Sequence, residues 1–115
     1  MSGLARPSSL ILVAVLFNLV TLWPEASVPA PPLTDAVLHQ TLIARAVEAA
    51  GAGPSVLDQW VPDWVMGYPV FHHYQHLPHV LLAAVYRLAG GRVTIPALYA
   101  WTLYLLLALF PVALF

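Results

Sequence analysis

The chain has 115 residues, of which 61% are hydrophobic and 8% are charged, and its formal net charge is −1. A water-soluble domain of this size buries only about two-thirds of its surface, so we expect an integral membrane protein instead. The basic residues are four scattered Arg, which excludes the basic patch that nucleic acid requires, and the lack of Cys excludes disulfides and thiolate metal sites.

Residues 8–23 form the first apolar segment, which we expect to be transmembrane helix 1 within residues 1–24. As a helix this segment rises about 24 Å, and an extension back to Leu4 would let it cross the ~30 Å hydrocarbon core. The alternative is a cleaved signal peptide with a small-residue cleavage site at Val28–Ala30. The retained helix is favoured because a second apolar segment follows.

Residues 25–94 are expected to form an external loop with two amphipathic or interfacial helices. After a Pro-rich connector, Thr34 is a candidate N-cap for a helix near residues 34–50, with Asp35 in its first turn. A second helix near residues 78–89 should begin at Pro78 and end before Gly90. This second helix is apolar nearly all round, so we expect it to lie in the membrane interface or to pack under other helices.

Residues 95–115 contain no charged residue and are expected to form transmembrane helix 2, about 31 Å long. The fold class is therefore an all-α membrane protein with two transmembrane helices joined by the external loop. Because the chain stops inside an apolar run, we expect it to be the N-terminal piece of a larger multi-span protein. Orientation stays open: Arg6 favours a cytoplasmic N-terminus, whereas the other three Arg lie in the loop.

Asp35 and His39 are four residues apart, so both side chains project from one face of the first loop helix. A carboxylate beside an imidazole can act as a general-base pair or supply two ligands to a divalent ion. The alternative is that Asp35 only stabilises the helix N-terminus while His39 faces solvent. Asp35 and His39 are the candidate catalytic residues.

Four of the five His lie between residues 72 and 79. Imidazole is the commonest metal ligand, so a zinc or copper site is a candidate, with His72, His73 and His76 as ligands. Pro78 disfavours helix before it, so these His should not line one helical face. The alternatives are rings at a membrane surface, or a non-enzymatic membrane protein that binds metal through this loop.

Asp58 and Asp63 flank Trp60 in the same loop. Carboxylates beside aromatic rings are typical of sugar sites, where acids bind hydroxyls or metal and rings stack on the sugar. The alternative is that the two Asp cap turns at Pro62. The candidate substrate-binding residues are Asp58, Trp60, Asp63, Trp64, Tyr68 and Tyr74.

The order of parts carries a resemblance to a known family. An apolar helix is followed by Asp35, an amphipathic helix, the pattern W-x-P-x-W-x-x-GYPVF-x-x-Y-x-x-LP at residues 60–78, a helix that closes in LAGG, and a second apolar helix. This order resembles the N-terminal portion of the GT-C superfamily of membrane glycosyltransferases, which includes protein O-mannosyltransferases and oligosaccharyltransferases. The GYPVF stretch is similar to bacterial multi-span proteins labelled as related to 6-pyruvoyl-tetrahydropterin synthase.

The resemblance implies a multi-pass protein of the bacterial inner membrane that uses a polyprenyl-phosphate-linked sugar. The acid after the first span, here Asp35, would act as a base or help to hold a divalent metal. Ala36 stands where several members have a second acid. The implied partners are the bilayer, the lipid-linked donor and the remaining transmembrane helices, without which this piece alone should be inactive. A purely structural two-span subunit is a third hypothesis.

Overall fold

A computed structural model describes residues 7–28, 35–53, 55–57, 60–62, 64, 66–69, 71–72 and 74–114. The described residues are mostly helical, which confirms this part of the predicted fold class. They fall into two compact units, one within residues 1–31 and 99–115 and the other within residues 32–98. The elements are α1 (Pro7–Thr21), α2 (Trp23–Ser27), α3 (Asp35–Ala52), β1 (Trp60–Val61), β2 (Tyr68–Pro69), α4 (Leu77–Leu88) and α5 (Ile95–Ala113).

Helix α5 is, among the described residues, the one helix that is long and apolar enough to cross a membrane. Its 19 residues rise about 28 Å, close to the ~30 Å thickness of a hydrocarbon core. The apolar stretch of α1, Ser8–Thr21, is shorter. α1 ends before Pro24, which has no N–H to continue the helix and instead sits in the first turn of α2. A membrane-spanning role for the first apolar segment stays a prediction.

In the first unit, α1 and α5 are joined by polar groups on otherwise apolar helices. The Tyr104 hydroxyl donates a hydrogen bond to the Leu19 carbonyl at 2.8 Å, and the Asn18 amide donates to the Leu107 carbonyl at 3.3 Å. Each of these hydrogen bonds links a side chain of one helix to the backbone of the other. An edge-to-face aromatic cluster lies beside them, formed by Trp23, Trp101 and Tyr104.

In the second unit, α3 and α4 pack side by side and run in the same direction. His39 meets His79 near the start of both helices, and the Arg87 guanidinium reaches the Val47 carbonyl further along both, at 3.5 Å. The N-termini of the two helices therefore lie at the same end of the unit. The buried core between the helices and the loop consists of Leu42, Ala46, Val61, Phe71 and Ala83.

The segment between α3 and α4 carries the chain back to the start of the unit, and it contains a short hairpin that the sequence did not predict. β1 and β2 are antiparallel, with Trp60 opposite Pro69 and Val61 opposite Tyr68. Gly67 in the turn has φ +110°, and a Cβ there would overlap the indole ring of Trp60. Glycine is therefore required at this position both by backbone conformation and by space.

Candidate functional site at the start of helices α3 and α4

Asp35 is the first residue of α3, and its side chain is exposed. A carboxylate in the first turn is stabilised by the positive end of the helix dipole. No hydrogen bond or ion pair joins Asp35 to another residue that the structure describes. The carboxylate is thus exposed at the start of α3 and accessible to a ligand.

One helical turn further on, His39 is hydrogen-bonded to His79 of α4. His39 Nδ1 lies 2.9 Å from His79 Nε2. The two rings are nearly parallel, at 14°, with their centroids 5.2 Å apart. The 5.2 Å between the centroids equals the 2.9 Å between the two nitrogens plus the radius of each ring. The two imidazoles therefore meet edge to edge in one plane, as a linear hydrogen bond requires. They are not stacked face to face.

His79 is anchored at its other ring nitrogen as well. His79 Nδ1 lies 2.7 Å from the backbone carbonyl oxygen of Gln75. The His79 side chain is 4% exposed. Burial lowers the pKa of His79 below 6.5; the hydrogen bond to the Gln75 carbonyl opposes this shift, and the neighbouring His39 adds to it. The arrangement favours a neutral His79.

Aromatic rings from the loop cover the His pair. The Tyr74 ring centroid lies 6.1 Å from that of His39 and 5.9 Å from that of His79. Phe71 is buried in the core, and its ring centroid lies 6.2 Å from that of His79. These rings account for the burial of His79 and place Tyr74, a predicted substrate-binding residue, beside the predicted catalytic His39.

The remaining predicted substrate-binding residues are distributed along the loop. Trp60 is exposed on β1, whereas Trp64 and Tyr68 pack against the core. Asp58 and Asp63 lie outside the described residues. Of the predicted sugar-stacking rings, Trp60 and Tyr74 are therefore the ones with large exposed faces, and the assignment of all six residues stays a prediction.

Two of the three predicted metal ligands, His72 and His76, lie among the described residues, and the metal site stays a prediction. His72 lies in an exposed turn and His76 is exposed immediately before α4, while His73 lies outside the described residues. No group of three or more His, Asp or Glu among the described residues is placed to hold a metal ion. Asp35 offers an oxygen ligand of the kind that divalent ions take, but the described residues alone do not fit a metal centre.

A separate open groove of about 430 Å³ lies along another face of α3. It is bounded by Ile95 and Pro96 of the first turn of α5, and its polar lining comes from Gln40, Thr41, Arg45 and Glu48. Arg45 and Glu48 form an ion pair at 3.1 Å on its edge. Neither Asp35 nor His39 lines this groove.

Sequence reasoning missed the role of His79. It grouped His79 with the other His of the loop, whereas the structure buries it on the core face of α4, one turn before Ala83. A usable signal was present: His39 and His79 are each followed, at helical spacing, by small or apolar residues that form the core.

Comparison with known proteins finds no family model, no curated protein and no solved structure that matches this chain. The function is therefore inferred from the residues and from the geometry at the starts of α3 and α4.

Proposed function

We propose that the chain is part of an integral membrane glycosyltransferase of the GT-C type, which transfers a sugar from a polyprenyl-phosphate donor at the membrane surface. Asp35 is the proposed catalytic acid or base, with His39 beside it. The observation that carries the proposal is the exposed Asp35 carboxylate one turn before a hydrogen-bonded His39. Asp35 and His39 lie in the first turns of α3, the helix that follows the first apolar segment and the Pro-rich connector.

A membrane location is supported by α5 and by one face of α4. Four exposed apolar residues of α4 recur at helical spacing and form a single stripe, namely Leu77, Leu81, Val85 and Leu88. Residues 89–94 join α4 to α5, a connection that reaches at most roughly 25 Å. If α5 crosses a bilayer, α4 is tethered near its surface, where the apolar stripe would be buried in lipid.

A phosphate-bearing donor is supported by the direction of the two helices. α3 and α4 have their N-termini at the same end of the unit. Both helix dipoles therefore place partial positive charge at the end where Asp35 and His39 lie, and such an end favours an anionic group. A donor whose sugar lies at Asp35 would thus have its phosphate in a favourable field.

In the proposed reaction, an acceptor hydroxyl attacks the anomeric carbon of the donor sugar. The bond from that carbon to the acceptor oxygen forms as the bond to the phosphate oxygen breaks, and the polyprenyl phosphate leaves as an anion. The hydroxyl proton passes to the ionised Asp35 carboxylate, which acts as general base. Stacking of the sugar on Trp60 or Tyr74 is the predicted contribution of the loop.

The test is sugar transfer by membranes from cells that express the intact gene, with a labelled polyprenyl-phosphate sugar as donor. Asp35→Asn removes the base but keeps the shape, and should lower transfer by about 10²- to 10⁴-fold at equal expression. Glu48→Gln is the matched control, because Glu48 is an exposed acid on the same helix. Unchanged transfer by Asp35→Asn would remove Asp35 from the mechanism. Absence of transfer by the unaltered protein with every polyprenyl-phosphate sugar would refute the proposed function.

A further inference from the structure

We propose that His79 sets the tautomer of His39, so that Nε2 of His39 is the basic nitrogen of the site. His79 is in this view a positioning residue, which acts on substrate only through His39. The tautomer follows from the hydrogen bonds of the two helices, whereas its use in catalysis rests on the proposed function.

The hydrogen-bonding role of one atom, the Gln75 carbonyl oxygen, is fixed by its chemistry. The Gln75 carbonyl oxygen can only accept a hydrogen bond, and His79 Nδ1 lies 2.7 Å from it, so Nδ1 carries the proton. A neutral His79 then has its lone pair on Nε2. That lone pair faces His39 Nδ1 at 2.9 Å, so His39 donates from Nδ1 and keeps its own lone pair on Nε2.

The competing arrangement is an imidazolium at His79, which would donate from both ring nitrogens and reverse the bond to His39. Burial opposes that charge, since the His79 side chain is 4% exposed. Within the described ranges, the groups that face His79 are the Gln75 carbonyl, His39, Phe71 and Tyr74. No carboxylate among the described residues hydrogen-bonds to His79. The Gln75 carbonyl favours the charged ring, but burial opposes it more strongly.

The consequence is a basic ring nitrogen, His39 Nε2, held in a fixed orientation one helical turn after Asp35. A histidine whose Nδ1–H is held by a partner presents Nε2 in a fixed direction, and the partner determines which nitrogen is basic. Free imidazole side chains in water favour the opposite tautomer, with the proton on Nε2. The bond to His79 therefore selects the less common form.

The tautomer can be measured without an activity assay. In the full chain, labelled with ¹⁵N-histidine in detergent micelles above about pH 7.5, the ¹⁵N shifts distinguish protonated from unprotonated ring nitrogens. We expect His39 to show a protonated Nδ1 and an unprotonated Nε2. His79→Gln keeps an acceptor within reach and should preserve this pattern, whereas His79→Phe should shift His39 towards the Nε2–H form. His76→Gln, at an exposed position, should leave His39 unchanged.

Two outcomes would overturn the inference: a protonated Nε2 on His39 in the unaltered chain, or an unchanged pattern in a folded His79→Phe variant. If His79→Phe does not fold, the spectra of the unaltered chain and of His79→Gln decide the question.

The transfer assay separates this inference from the proposed function. His79→Phe should lower transfer about 10- to 100-fold, the usual effect of removing an orienting partner, and His79→Gln should restore most of it. If the predicted spectrum is observed but no sugar is transferred, the proposed glycosyltransferase function is wrong and the proposed tautomer of His39 is supported. An Nε2–H spectrum with transfer that depends on Asp35 would refute only the role of His79.

Discussion

Acidification should destabilise the α3–α4 unit, because it charges a histidine that the fold keeps buried. Burial lowers the pKa of His79 in the folded chain, whereas in the unfolded chain it should be close to the ordinary value of about 6.5. Between these two values the unfolded state binds more protons than the folded state, so the free energy of unfolding falls as the pH falls. The stabilising contribution is complete above pH ~6.5 and is lost towards the folded-state pKa.

The size of the effect is limited by the single proton involved. One proton bound only by the unfolded state gives a slope of at most about 1.4 kcal/mol per pH unit. The measurement is urea unfolding of the full chain in detergent micelles at several pH values between about 8 and 5. It is followed by tryptophan fluorescence, to which the core-packed Trp64 contributes. We expect a nearly flat profile above pH 7 and a decline below pH 6.5.

Two substitutions test whether His79 causes the pH dependence of the free energy of unfolding. His79→Gln retains a hydrogen-bonding side chain but cannot titrate, so it should flatten the decline. His76→Gln removes an exposed histidine only three residues away and should leave the decline intact. His79 is not the destabilising group if the stability of the unaltered chain does not change between pH 7.5 and 5.5, or if His76→Gln flattens the profile while His79→Gln does not.

Two further predictions concern the helix contacts. Ala83 is buried where α4 meets α3, so Ala83→Leu should lower the free energy of unfolding by about 1–3 kcal/mol through overpacking. Ala84→Leu, at the neighbouring exposed position, is the control and should be nearly neutral in the same urea titration. Tyr104→Phe removes the hydroxyl that bonds to the Leu19 carbonyl and should cost about 0.5–1.5 kcal/mol in thermal unfolding in detergent. Thr21→Val removes a hydroxyl bonded within its own helix and is the control; an equal loss in both variants would argue against the bond between helices.

The helices could be predicted because their signals are local. Pro78 lies in the first turn of α4, and Gly90 adopts a left-handed conformation just after its end, so both residues mark the helix within the sequence itself. The hairpin could not be predicted in this way. Its strands have two residues each, too few for an alternating pattern, and Val61 is held there by contacts with residues of α3 and α4.

In the candidate site, too, the features that depend on local sequence could be predicted, whereas those that depend on tertiary packing could not. Asp35 was identifiable because a first-turn acid is a local feature. The partner of His39 is 40 positions away, and its identity depends on α3 and α4 packing in the same direction. A buried polar atom needs a hydrogen-bond partner. Since the Gln75 carbonyl already engages Nδ1 of His79, Nε2 must find one on another element. His39 is the residue on α3 that provides this hydrogen bond. The His39–His79 pairing therefore follows from the burial of His79 once the packing of α3 against α4 is known. It does not depend on the spacing of the four His that predicts a metal cluster.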